Sequence, residues 1–135
     1  MPTAPTVRFR LDFADQCSIG VGKIELLERI GVAGSLSQAA RDMRMSYRRA
    51  WLLLEDMKQH FDQSVVSSTA GGSGGGGAEL TEFGHQVIAA YRNLETQIQR
   101  LAQHSLRDLG GHTKPRRAKQ AVHVTSLKRK IAADD

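Results

Sequence analysis

The chain has almost no cysteine. Its one thiol, Cys17, has no partner for an internal disulfide and no CxxC neighbour, so a reducing cytoplasm is the expected compartment. One cysteine and five histidines in unrelated segments do not make a structural zinc site. Long apolar runs are also missing, and the longest are far too short to span a bilayer. No membrane association is expected. Met1 to Thr6 carry no basic n-region and no apolar h-region follows, so no signal peptide is read here. Nor does any Ser-His-acid, Cys-His, paired-carboxylate or metal-ligand arrangement occur at meaningful spacing. The expectation is a protein that is not an enzyme and holds no cofactor.

What is present fits one domain with appendages: 135 residues, 40% of them apolar. The net charge of +5 is unevenly distributed. Residues 1–104 hold 11 basic and 11 acidic side chains, whereas residues 105–135 hold 8 basic and 3 acidic ones. The high isoelectric point therefore describes a tail, which the polar, basic composition and the helix-stopping Gly110, Gly111 and Pro115 mark as disordered. Such a tail would add nonspecific affinity for nucleic acid.

A more specific signal lies at Ser35 to Phe61, which reads as two helices joined by a very short turn. Ser35 has capping character, with Gln38 three residues on at the spacing of a capping box. Ala39 and Ala40 allow close approach of a second helix. Arg44 and Met45 make the turn, and Ser46 caps the next helix. That helix carries Tyr47, Arg48 and Arg49 in its first turn, where a recognition helix places its base-reading side chains. Four arginines against one acid give positions 41–49 a local charge of +3. Ala50, Leu54, Met57 and Phe61, with Leu53 beside them, form the face expected to bury. For Trp51 two roles stand open: a partly buried aromatic closing the helix pair, or a DNA contact.

Before this segment, Val7, Phe9, Leu11 and Phe13 alternate with polar residues as in a half-buried strand. A turn is expected over Ala14 to Gly22, then a helix over Lys23 to Ile30 that Gly31 stops. After it, Val65 and Val66 lead into a run with 6 of the 13 glycines, and Glu79 and Leu80 return, as in a hairpin with a long glycine tip. Gly72, Gly74 and Gly77 match GxGxxG, but that match is nearly automatic in such a run. The βαβ unit and later acid that a dinucleotide site needs are absent, as is a P-loop Lys-Ser/Thr. From Thr81 the chain turns helical to about His104. Val87, Tyr91, Leu94, Ile98 and Leu101 recur at spacings of 4, 3, 4 and 3, a seam for pairing with a second copy. Ile88, Leu94 and Ile98 have the alternative of facing the domain's own core.

The stretches Gly34-Ser-Leu-Ser-Gln-Ala-Ala, Met45-Ser-Tyr-Arg-Arg-Ala-Trp and Thr69-Ala-Gly-Gly-Ser-Gly-Gly-Gly-Gly-Ala-Glu-Leu-Thr-Glu-Phe-Gly closely resemble the N-terminal domain of the ModE family, bacterial molybdate-dependent transcriptional regulators with a LysR-type winged helix-turn-helix. The resemblance covers roughly residues 7–104. It implies a mainly α fold with a small β wing, followed by a long dimerisation helix, acting as a homodimer on double-stranded DNA with a palindromic operator. The expected boundaries are a flexible 1–6, a winged helix-turn-helix at 7–80, the long helix at 81–104 and the tail at 105–135. The candidate DNA contacts are Ser37, Gln38, Arg44, Ser46, Tyr47, Arg48, Arg49, Thr69 and Ser73. Where the family's wing commonly carries charge, this chain has Ser67, Ser68 and Ser73. About 30 residues follow the long helix, too few for the family's oxyanion-binding domains, so a stand-alone DNA-binding unit that does not bind molybdate is expected. A second reading from another class is a winged-helix protein-interaction module that does not read DNA.

Overall fold

Helix α1, Val21–Ala33, buries Ile24, Leu26, Leu27 and Ile30 completely, and the fold is built around it. The computed structural model describes residues 5–69 and 76–114. Before α1, strand β1 (Arg10–Asp12) pairs antiparallel with β2 (Ser18–Gly20), Leu11 opposite Ile19. After it come α2 (Leu36–Asp42), α3 (Tyr47–His60) and a hairpin of β3 (Val66–Thr69) and β4 (Gly77–Leu80), in which Val66 faces Leu80 and Thr69 faces Gly77. Helix α4, Glu82–Ser105, is the longest element, and Arg107–Gly110 adds one short turn, α5. This is a winged helix-turn-helix followed by a long helix. Thr6–Leu101 form one compact unit, and residues from Ala102 belong to a second.

The period-2 alternation of Val7 to Phe13 translates into half-buried odd positions as far as Leu11 and exposed even ones. Phe13 breaks the pattern and stays 51% exposed. The stretch read as one turn, Ala14 to Gly22, is more structured than that. It holds a 3-10 turn at Ala14–Gln16, the strand β2 and the start of α1. Its pairing with β1 is a tertiary event that a three-residue strand with one apolar side chain, Ile19, does not announce. Nor does Gly31 stop the helix. The stop is Gly34, whose φ of 77° is the left-handed conformation that glycine adopts without cost, and whose N–H reaches the Ile30 carbonyl at 2.9 Å.

Two apolar clusters share α1. One gathers Ile24 and Leu27 with Met57, Val65 and Tyr91; the other gathers Leu26 and Ile30 with Ala39, Ala40 and Ala50. The small alanines let α2 and α3 close on α1, as their spacing implied. On α3, Ala50 and Met57 are fully buried, with Leu53, Leu54 and Phe61 partly so, which is the expected face. The hairpin is tied to this body by backbone: Ala78 N–H donates to the Gly34 carbonyl at 2.8 Å, and Thr81 N–H to that of Val65 at 3.1 Å. Thr81 caps α4, its hydroxyl accepting from Gly84 N–H at 3.0 Å and donating to the Ser64 carbonyl at 2.6 Å. A Cβ on Gly84 would lie 2.1 Å from the Val65 carbonyl oxygen, so only glycine allows this approach.

Polar links join the helices where apolar packing ends. Lys23 is 9% exposed, yet its ammonium donates to the Ser18 carbonyl and to Asp56 of α3. Arg92 of α4 grips Glu28 of α1 with two donors, at 2.7 and 3.2 Å, and Glu95 with a third at 2.8 Å. These carboxylates raise the guanidinium's already high pKa further. Of the expected flexible N-terminus, glycine tip and basic tail, residues 1–4, 70–75 and 115–135 lie outside the described residues; the first part of the tail is helical instead, α4 running to Ser105 and α5 spanning Arg107–Gly110.

Candidate nucleic-acid interface

The turn between α2 and α3 is fixed by backbone hydrogen bonds rather than by a glycine. Met45 N–H reaches back to the Ala40 carbonyl and Arg44 N–H to that of Arg41, each at 3.0 Å, which is the Schellman pattern. The residue that takes the left-handed conformation there is Arg44, with φ 56°. A side chain in that region costs about 1–2 kcal/mol relative to the right-handed form. The chain thus carries a cationic residue where glycine would be relaxed. Met45 packs inward from this turn, and Ser46 opens α3, its hydroxyl accepting from Arg49 N–H at 3.1 Å.

These caps set the direction in which the first turn of α3 points. Arg44, Ser46, Tyr47, Arg48 and Arg49 are all exposed, Tyr47 by 57%. The turn and the helix start therefore present three guanidinium-bearing residues within six positions, clear of the core. Trp51 follows Tyr47 by one turn and is 45% exposed, a partly covered aromatic that leaves both of its expected roles open. Leu52, absent from the sequence-derived set, is 49% exposed beside it.

Between α3, the hairpin and the start of α2 lies a cleft of about 460 Å³, bordered by Ser37, Tyr47, Trp51, Lys58 and Ser68. Ser37 is exposed at its edge, and Thr69 sits half-buried at the end of β3. Gln38 stands apart. Ser35 accepts its backbone N–H at 3.1 Å, but its side chain does not complete a capping box. It accepts from Arg41 at 3.0 Å and donates to Asp42 at 2.8 Å along α2, so its amide is engaged on its own helix. Ser73 lies outside the described residues.

The heptad-spaced residues of α4 divide. Tyr91 is 2% exposed and Val87 half-buried, both against the protein's own core. Tyr91 is thus largely covered from within the chain, because the N-terminal strand segment lies over it through Phe9. Leu94 and Ile98 remain half-buried, and Leu101 is 65% exposed. Heptad spacing identifies an apolar stripe without saying what covers it. Val87, Tyr91 and Leu94 of that stripe also border an open groove of about 390 Å³ that Phe13, Phe61, Phe83 and Ala90 complete, apolar almost throughout. Sequence reading missed it because Phe13, Phe61 and Phe83 come from three distant segments.

Among the described residues no group of three or more His, Cys, Asp and Glu side chains is placed to hold a metal ion. No helix among them is long and apolar enough to cross a membrane.

No protein-family model matches the chain. Curated relatives do. The chain is 42% identical to the DNA-binding transcriptional dual regulator ModE of Escherichia coli over 80 residues, which is 59% of this chain and 30% of that protein. It is 36% identical over 92 residues to the molybdenum transport protein ModE of Azotobacter vinelandii, covering 68% of this chain and 34% of the relative. It is 40% identical over 83 residues to the molybdenum-pterin-binding protein MopB of Rhodobacter capsulatus, covering 62% and 31%. The match falls in the N-terminal region of these relatives and spans about a third of their length.

Proposed function

We propose that this chain, which shares its helix-turn-helix region with the ModE regulators, is a transcriptional regulator that binds double-stranded DNA. Helix α3 enters the major groove, with Arg48 and Arg49 reaching guanine edges or phosphates and Tyr47 and Ser46 making shorter contacts. Arg44 and Ser37 meet the flanking backbone, and the β3–β4 wing lies along the adjacent groove. The observation that carries this reading is the exposed Arg44, Arg48 and Arg49 around a helix start locked by the Ser46 cap and a Schellman turn. A fixed turn with three cations in the open suits a polyanion that must be read in one register.

The protein acts as a homodimer in this reading, setting two α3 helices about one duplex turn apart on a palindromic operator. The apolar groove at Phe13, Phe61 and Phe83, continued along α4 by Leu94, Ile98 and Leu101, is the surface a second copy would cover. No molybdate site is assigned to these residues, and titration calorimetry with molybdate is expected to give no binding heat. Selecting duplexes from a random library with the full chain tests the reading: a two-fold symmetric consensus is expected, and recovery of unenriched sequence would reject it in favour of a protein-interaction module.

A further inference from the structure

One residue on the exposed side of α3 has no packing reason for its identity. Leu52 is 49% exposed, although its neighbours Leu53 and Leu54 are drawn against the core. At 100° per residue it stands roughly 150° around the helix from the fully buried pair Ala50 and Met57, and roughly 40° from Arg48. It lies on the same strip as Arg48, one turn further on. It borders neither the wing cleft nor the apolar groove, so neither the hairpin nor the surface assigned to a second copy accounts for it. The turn of α3 before it carries the cations Arg48 and Arg49, the charge complement of a phosphate backbone, and the turn after it carries Glu55 and Asp56.

An apolar side chain in a major groove has one apolar base feature to meet, the C5-methyl group of thymine. We propose that Leu52 reads a thymine methyl in the operator and is a determinant of its sequence. Four residues along a helix rise about 6 Å, close to two base steps at 3.4 Å each, so that thymine lies about two steps from the contact of Arg48. This inference rests on the DNA-binding reading above and names the base chemistry that one part of α3 recognises.

Replacing a thymine by deoxyuridine removes the methyl group and nothing else. The test takes the full chain, an operator selected from random duplexes, and a series in which each thymine of one half-site is replaced singly by deoxyuridine. Affinity is measured by fluorescence anisotropy for the native protein and for Leu52→Ala, which keeps helix propensity at an exposed site. One substitution is expected to weaken the native protein about fourfold, the equivalent of one buried methyl, and to leave Leu52→Ala unaffected. Leu52→Met, which keeps apolar reach, is expected to retain part of the methyl dependence. If no deoxyuridine position matters, or if one matters equally in Leu52→Ala, the assignment to Leu52 is overturned while DNA binding stands. If selection yields no preferred sequence, the DNA-binding reading fails and this one with it.

Discussion

Tyr91 lies stacked on Phe9, ring centroids 4.6 Å apart and planes 14° from parallel, and its hydroxyl donates to the Phe9 carbonyl at 3.0 Å. Eighty-two residues separate the two. A second link runs in the same direction, Val7 N–H to Gln99 at 2.9 Å. The N-terminal strand segment is thus laid along α4, and the long helix is fastened to the body of the domain before any partner arrives. Phe9→Ala is expected to cost about 2–4 kcal/mol, combining lost burial with the lost ring stack. Tyr91→Phe, which keeps the stack and drops only the hydrogen bond, should cost about 1 kcal/mol. Urea denaturation of both variants measures this ladder, and equal losses would contradict it.

Arg44 occupies a left-handed position for which glycine is the relaxed residue. Arg44→Gly is therefore expected to raise stability by about 1 kcal/mol, the relief of a strained side chain less the added freedom of the unfolded chain. The same change should weaken DNA binding by removing a cation at the turn. Thermal melting and a DNA titration read the two effects, which must move in opposite directions. A loss of stability would show that the arginine is held there by contacts within the fold.

Burial pushes the Cys17 thiol above its usual range, with the Lys23 charge pulling it partly back. The fold therefore favours the neutral thiol. A raised acid contributes stability that is complete below the ordinary thiol pKa and is lost as pH climbs through the higher folded value. Burial raises the Tyr91 phenol as well, with Glu95 adding to it, and this acts in the same direction. Stability is expected to be flat through neutrality and to fall above roughly pH 9. At pH 7.5, iodoacetamide should label Cys17 slowly in the native protein and quickly in urea. Fast native labelling would contradict the buried placement.

The surface offered to a second copy can be separated from the core. Phe13 is half-exposed and Ala90 exposed, so Phe13→Glu and Ala90→Glu should leave the fold intact while placing charge in the groove. Both are expected to halve the mass seen by light scattering and to weaken operator binding sharply. Tyr91 is unsuited to this test, since a charge there would disrupt the core. An unchanged mass for both variants would remove the groove from the dimer.

Most of the local structure was legible in the sequence because local residues enforce it. Ser35, Ser46 and Thr81 each accept a backbone N–H three residues on, as their position before an apolar-periodic run implied. The buried faces of α1 and α3 follow the helical spacing of their apolar residues. What escaped depends on distant partners. Strand β2 exists because β1 lies beside it, and Tyr91 turns inward because Phe9 covers it. Arg92 reaches Glu28 across 64 positions. Leu52 was left out of the expected buried face and is indeed 49% exposed, but a single outward leucine carries no functional signal in the sequence.

The central claim is that the first turn of α3 reads DNA, and salt dependence with single arginine removals tests it most directly. For the native protein, log affinity for a selected operator should fall linearly and steeply with log salt. If Arg48 or Arg49 reads guanine, its replacement by Ala should cost about 1–3 kcal/mol on the operator and relax specificity at one base per half-site. Equal loss on operator and random duplex would mark a phosphate contact instead. Affinity that is indifferent to salt and to both arginines would contradict the account.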